Sequence, residues 1–174
     1  MTTSLDFSVL YAIRDAFASG SADDFMRAVT MLGDGGALWI ILGIGLLLWR
    51  RTRWTGAALL LALLLTALIG NLGIKPLVDR LRPCDIMGFT LLAACPPDPS
   101  FPSGHTAASF ASAGVLWWRR SAFFWPAVIL AALIAFSRLY LFVHFPTDVL
   151  AGIVLGLCCA WGAVKLVAWL GRGC

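Results

Sequence analysis

The chain contains no glutamate, and charged residues of either sign fill only 13% of its 174 positions. A water-covered domain carries about 25%, so an ordinary soluble surface is excluded. No C-x-x-C pair and no acidic cluster of the kind that cages magnesium is present, which argues against a zinc ribbon and a magnesium-dependent centre. Sequence repeats and low-complexity segments are also lacking. The first 21 residues hold Asp6, Arg14 and Asp15 and no long apolar stretch, so they do not read as a cleavable secretion signal. The formal charge is +4, but its cations sit at the ends of apolar runs. That distribution argues membrane topology and not nucleic-acid binding.

What the chain has in place of charge is apolar length. Hydrophobic residues make up 60% of it, and residues 57–69 and 149–163 carry no charge at all. A transmembrane helix needs about 20 mostly apolar residues. The expectation is an all-α, polytopic transmembrane bundle of five or six spans, forming a single membrane-embedded domain over residues 1–174. Spans are expected at 35–49, 54–74, 102–118, 122–142 and 146–170. The first and third are short for a crossing, so neighbouring protein should cover their ends. Leu5, Val9, Ala12, Ile13 and Ala16 recur at helical spacing, which makes 1–34 an interfacial segment of one or two amphipathic helices. A sixth crossing built from part of 22–36 stays open. In the last span Gly152 and Gly156 form a G-x-x-x-G, expected to pack inside the bundle in preference to forming a dimer face.

The basic clusters orient this bundle. Arg50, Arg51 and Arg53, then Arg119 and Arg120, then Lys165 and Arg172 all fall on one side, which the positive-inside rule assigns to the cytoplasm. Residues 1–34 hold five Asp against two Arg and fit the outer side. The segments 75–101 and 142–148 then face outward as well, in a plasma or inner membrane. Cys84 and Cys95 share that outer loop, where both a disulfide and two free thiols are open. Cys158 and Cys159 lie mid-span and, with the terminal Cys174, read as packing or unpaired thiols.

Against this apolar background the polar residues stand out as one constellation. It runs Lys75, six residues, Arg82-Pro83; then Pro102-Ser103-Gly104-His105; then Ser137-Arg138, five residues, His144, three residues, Asp148. A charge near a helix centre in a membrane costs about 2.5–3.5 kcal/mol, so such residues need a reason. Singly, each has a plain one: a snorkelling cation, or a capping imidazole. Converging on one membrane edge, they do not. Lys75 and Arg82 are seven apart and share a face if the helix persists past Pro76, with Asp79 as a surface partner. Pro102 suits a helix start, where the N–H groups of Ser103, Gly104 and His105 would meet an anion. His144 and Asp148 are four apart, so a carboxylate can fix one imidazole nitrogen and leave the other free to attack.

These three motifs resemble the type 2 phosphatidic acid phosphatase family, whose pattern Lys-x6-Arg-Pro, Pro-Ser-Gly-His and Ser-Arg-x5-His-x3-Asp is matched at every position. The resemblance implies that Lys75, Arg82 and Arg138 bind phosphoryl oxygens with help from Ser103 and Gly104. It implies that His144 attacks phosphorus, oriented by Asp148, and that His105 protonates the leaving oxygen. Three fixed cations would then take the place of a metal, so no metal and no cofactor is expected. The implied substrate is a lipid phosphate or diphosphate with its tail among membrane lipids. Undecaprenyl diphosphate is favoured because the short loops are similar to those of bacterial members that recycle that carrier. Phosphatidylglycerol phosphate, phosphatidic acid and a lipid phosphotransferase reaction are alternatives, and a small channel or transporter is the non-enzymatic one. Oligomeric state is not legible.

Overall fold

A computed structural model describes residues 4–87 and 92–171, and among these it is helical without strands. Arg172 and Cys174 lie outside the described residues. Helices α1 (Ser4–Phe17) and α2 (Gly20–Met31) are followed by a 3-10 turn, Asp34–Gly36, and α3 (Ala37–Leu48). Ser19 starts α2 by accepting the Ala22 N–H on its Oγ at 3.2 Å. Gly35 and Gly36 have φ of 59° and 68°, a left-handed conformation that glycine adopts without steric cost. They produce a bend of 42° between α2 and the run Asp34–Leu48.

Helix α4 (Arg53–Thr66) passes through a π-helical stretch, Ala67–Ile74, into the short α5 (Lys75–Val78). Then come α6 (Pro83–Met87), α7 (Gly104–Trp118), α8 (Phe124–Tyr140) and α9 (Pro146–Leu170). The run Arg53–Met87 and α9 are long and apolar enough to cross a membrane, and the bent pair of α2 with Asp34–Leu48 makes a third. Outward side chains such as Leu48, Leu72, Leu77 and Trp169 are more than two-thirds exposed. A continuous apolar exterior of that kind belongs in hydrocarbon.

The interior is built from small residues. Ala58, Ala62, Ala111, Ala160 and Ala163 are fully buried, which lets helix backbones approach closely. A tight seam joins α7 to α9. A Cβ on Gly156 would lie 2.4 Å from the Ala107 carbonyl oxygen, and one on Gly152 would lie 2.8 Å from that of Ser103. The G-x-x-x-G is therefore filled by α7 of the same chain. Trp39 of α3 is buried beside this seam and donates its Nε1–H to Ser109 Oγ at 3.0 Å.

One local expectation is corrected. Lys75 and Arg82 do not share a helix face, because α5 ends at Val78 and Asp79 turns to φ 44°. Lys75 pairs with Asp98, while Asp79 is exposed. Within the N-terminal helices Leu10 is fully buried, and Asp6, Val29 and Thr30 are buried as well. Cys84 and Cys95 are joined as a disulfide with Cα atoms 6.0 Å apart. Cys158 and Cys159 are free.

Candidate active site

The turn between α8 and α9 carries His144. Phe142 takes φ 57°, and the N–H groups of Val143 and His144 donate to the Arg138 carbonyl at 3.2 and 3.3 Å. One backbone oxygen thus ties the imidazole to the arginine on α8. Arg82 Nη1 lies 3.0 Å from His144 Nε2. A guanidinium can only donate, so Nε2 presents its lone pair and the ring proton sits on Nδ1. On that side Ser100 Oγ is 3.3 Å away and donates to Asp148 Oδ2 at 2.6 Å. Ser100 therefore accepts from Nδ1 and bridges it to the carboxylate, whose direct distance is 3.6 Å. Complete burial pushes the His144 imidazole down to about 3, so the ring is neutral and its Nε2 lone pair is unprotonated.

Asp148 is fully buried at the start of α9. Its Oδ2 also accepts the Phe145 N–H at 2.8 Å, and its Oδ1 accepts Arg80 Nη1 at 2.5 Å. Arg80 continues outward to Asp6 Oδ2 of α1 at 2.7 Å and stacks over the Phe145 ring, 4.3 Å from its centroid. A chain of alternating charges thus runs from α1 to the imidazole, which compensates a carboxylate too buried to stand alone.

The cations converge from three elements. Arg82 donates to the Asp98 carboxylate and to the carbonyls of Asp98 and Val143, each at 2.8 Å. Lys75 pairs with the other oxygen of the same carboxylate. Partial burial alone would raise the Asp98 carboxyl, but Lys75 and Arg82 outweigh it and hold the group below the usual carboxylate range. Arg138 donates Nη1 to Thr30 Oγ1 at 2.5 Å, and among the described residues its buried Nε has no partner. His105, in the first turn of α7, places Nε2 2.8 Å from Asp34 Oδ1.

Lys75, Arg82, Gly104, His105, Arg138 and His144 line one cavity of about 560 Å³. The same cavity is lined by Ile40 of α3, Leu60, Leu63 and Leu64 of α4, Ala67 and Ala108. Gly104 packs closely in this wall: a Cβ there would meet Asn71 Oδ1 at 3.2 Å. Ser103 is turned away from the cavity as the α7 cap. Its Oγ accepts from Thr106, and its N–H is used by the Asp148 carbonyl at 3.1 Å. Gly104 and His105 precede the first intrahelical bond, so their N–H groups are the ones left at the helix start. Cys84, Asp85 and Cys95 also lie together, but the two sulfurs bond each other and offer no thiolate to a metal.

Sequence reasoning missed Asp6, Thr30, Asp34, Arg80, Asp98 and Ser100. Arg80 and Asp98 carried a weak signal as charges in an apolar outer loop. The other four had none, since their partners are 44 to 141 positions away or on the far side of the chain.

Comparison with known proteins adds an independent line. The family model described as the PAP2 superfamily matches residues 55–172. Undecaprenyl-diphosphatase of Sulfolobus acidocaldarius is 35% identical over 121 residues, 68% of this chain but only 58% of that protein's length. The crystal structure of Aquifex aeolicus LpxE superposes with a TM-score of 0.80 at 29% identity, covering 94% of this chain and 96% of that one. The crystal structure of a transmembrane PAP2-type phosphatidylglycerolphosphate phosphatase from Bacillus subtilis gives 0.72 at 29% identity, covering 98% and 88%.

Proposed function

The chain belongs to the PAP2 superfamily, and from that premise we propose that it is an integral-membrane lipid phosphatase acting through a phosphohistidine. One observation carries this reading. A single cavity holds three cations and two imidazoles together with an apolar lining from α3, α4 and α7, the dual character an amphiphilic phosphate needs. The unpartnered Nε of Arg138 supports an anion at this point, since buried N–H groups are nearly always hydrogen-bonded.

The chemistry follows from the placement. Lys75, Arg82 and Arg138 hold the phosphoryl oxygens and meet the charge that spreads over them in the transition state. Ser103 shapes the start of α7, and Gly104 lets its backbone approach the anion. His144 Nε2 attacks phosphorus in line as the bond to the lipid oxygen breaks. Asp148, through Ser100, stabilises the positive charge the ring then carries. His105 protonates the departing oxygen, a contribution of roughly 10²–10⁴ in rate for a general acid. Water releases phosphate in the second half. No step needs a metal or cofactor.

The finer reading is a bundle of five or six spans in the cell membrane, with the active site on the extracytoplasmic side and 1–34 at the interface. Undecaprenyl diphosphate is the favoured substrate, supported by the name of the Sulfolobus relative. Phosphatidylglycerol phosphate is the main competitor, supported by the Bacillus structure. The test is phosphate release by purified protein from a panel of polyprenyl diphosphate, phosphatidylglycerol phosphate and phosphatidic acid. Turnover should be highest on the first and absent in His144→Ala on all three. Substantial activity in His144→Ala would overturn the phosphohistidine mechanism, and a preference for another lipid would overturn the substrate.

A further inference from the structure

The family match begins at residue 55, yet residues 30–36 wrap one edge of the site. Thr30 holds Arg138. Gly33 lies so close to His105 that a Cβ there would be 2.6 Å from the ring's Cδ2. The next residue, Asp34, sets Oδ1 2.8 Å from His105 Nε2, and the two left-handed glycines after it fix the turn that aims it.

We propose that Asp34 is the positioning residue for His105: it holds the Nε2–H, so that Nδ1 is the nitrogen that passes protons in both halves of the reaction. The proposal rests on the reading of His105 as the acid. A carboxylate only accepts, so its contact with Nε2 places a hydrogen there. Asp34 then does for the proton donor what Ser100 and Asp148 do for the nucleophile. It is also the carboxylate in contact with a ring that otherwise shares its cavity with Arg82 and Arg138. An imidazolium between two guanidiniums is disfavoured, and Asp34 offsets that repulsion.

In the first half the P–N bond to His144 Nε2 forms and the P–O bond to the lipid breaks. His105 enters this half as the imidazolium and passes its Nδ1 proton to the departing oxygen, leaving a neutral ring with Nε2–H still on Asp34. In the second half a water oxygen attacks phosphorus, its proton goes to Nδ1, and the P–N electron pair returns to His144. The same nitrogen serves twice because the other never leaves Asp34.

The side chain of Asp34 is 65% exposed, so Asp34→Ala opens no cavity. Its kcat/KM on an alkyl phosphate should fall about tenfold, a share of the general-acid contribution. On an aryl phosphate, whose leaving group needs no proton, the fall should be no more than about twofold. Asp34→Asn keeps an acceptor and should recover part of the loss. The chain has only two histidines, so ¹⁵N-histidine spectra in micelles read the tautomer directly. Neutral His105 should be the Nε2–H form in the parent and in Asp34→Asn, and should move toward Nδ1–H in Asp34→Ala. An unchanged tautomer in Asp34→Ala, or equal losses on the two substrates, overturns the proposal. Activity surviving in His144→Ala would instead overturn the phosphohistidine reading and leave the tautomer result standing.

Discussion

Gly156→Ala tests how the bundle sets the site. The new methyl would lie 2.4 Å from the Ala107 carbonyl oxygen and 2.8 Å from the Ala111 nitrogen, both backbone atoms that cannot rotate away. Ordinary contact begins near 3.4 Å, so α7 and α9 must separate by about 1 Å. Overpacking of this sort costs about 1–3 kcal/mol, against which alanine's helix propensity returns up to about 1 kcal/mol. For a chain of this length each kcal/mol is worth about 2–4 °C, so a net cost of about 1–2 kcal/mol should lower the unfolding midpoint by roughly 2–8 °C. The control sits on the same helix: a Cβ on Gly162 meets nothing within 4 Å, and Gly162→Ala should be neutral or slightly stabilising. Thermal unfolding of both variants in one detergent, followed by tryptophan fluorescence, makes the comparison. Activity should fall further than stability, because α7 carries His105 while α9 carries Asp148. An ångström of misplacement can cost about 10² in rate. Gly156→Ala melting within about 1 °C of Gly162→Ala, with full turnover, would refute the reasoning.

Three other outcomes are expected. Vanadate, five-coordinate like a transferring phosphoryl group, should inhibit and EDTA should not; inhibition by EDTA reversed by magnesium would sink the metal-free mechanism. Non-reduced, alkylated protein from native membranes should yield a Cys84–Cys95 cross-linked peptide, and full alkylation of both thiols without reductant would remove the bridge. The ¹⁵N signals of His144 should stay those of a neutral ring from pH 7 down to about pH 4, because burial pushes the group down to about 3. The unfolded chain takes up that proton near pH 6.5 and the native state refuses it, so stability should be full above 6.5 and decline as pH falls toward 3. A ring protonated at pH 6 would contradict this.

The candidate motifs were legible for a physical reason. In a chain with 13% charge, a cation or imidazole inside an apolar run is costly, so each survivor carries information. His144 and Asp148 were readable as a pair because they lie four apart at the start of one helix, although the bond between them proved to run partly through Ser100. The spacing of Lys75 and Arg82 suggested a shared helix face, which the structure does not show. No helix spans them, and the shared Asp98 carboxylate brings them together. The polar side chains of the N-terminal segment were illegible because an amphipathic helix is expected to carry them anyway. Asp6, Thr30 and Asp34 look like solvated residues until Arg80, Arg138 and His105 are found against them. Periodicity says which face of a helix is polar. It cannot say whether that face meets water or closes over a buried charge. In a small membrane bundle the second outcome has a clear cause: the helices before residue 55 are the only described part of the chain not already committed to the family-matched bundle. Covering the site with them satisfies buried charges that the matched bundle leaves open on that side, which is why residues outside the family match end up touching three of its functional groups.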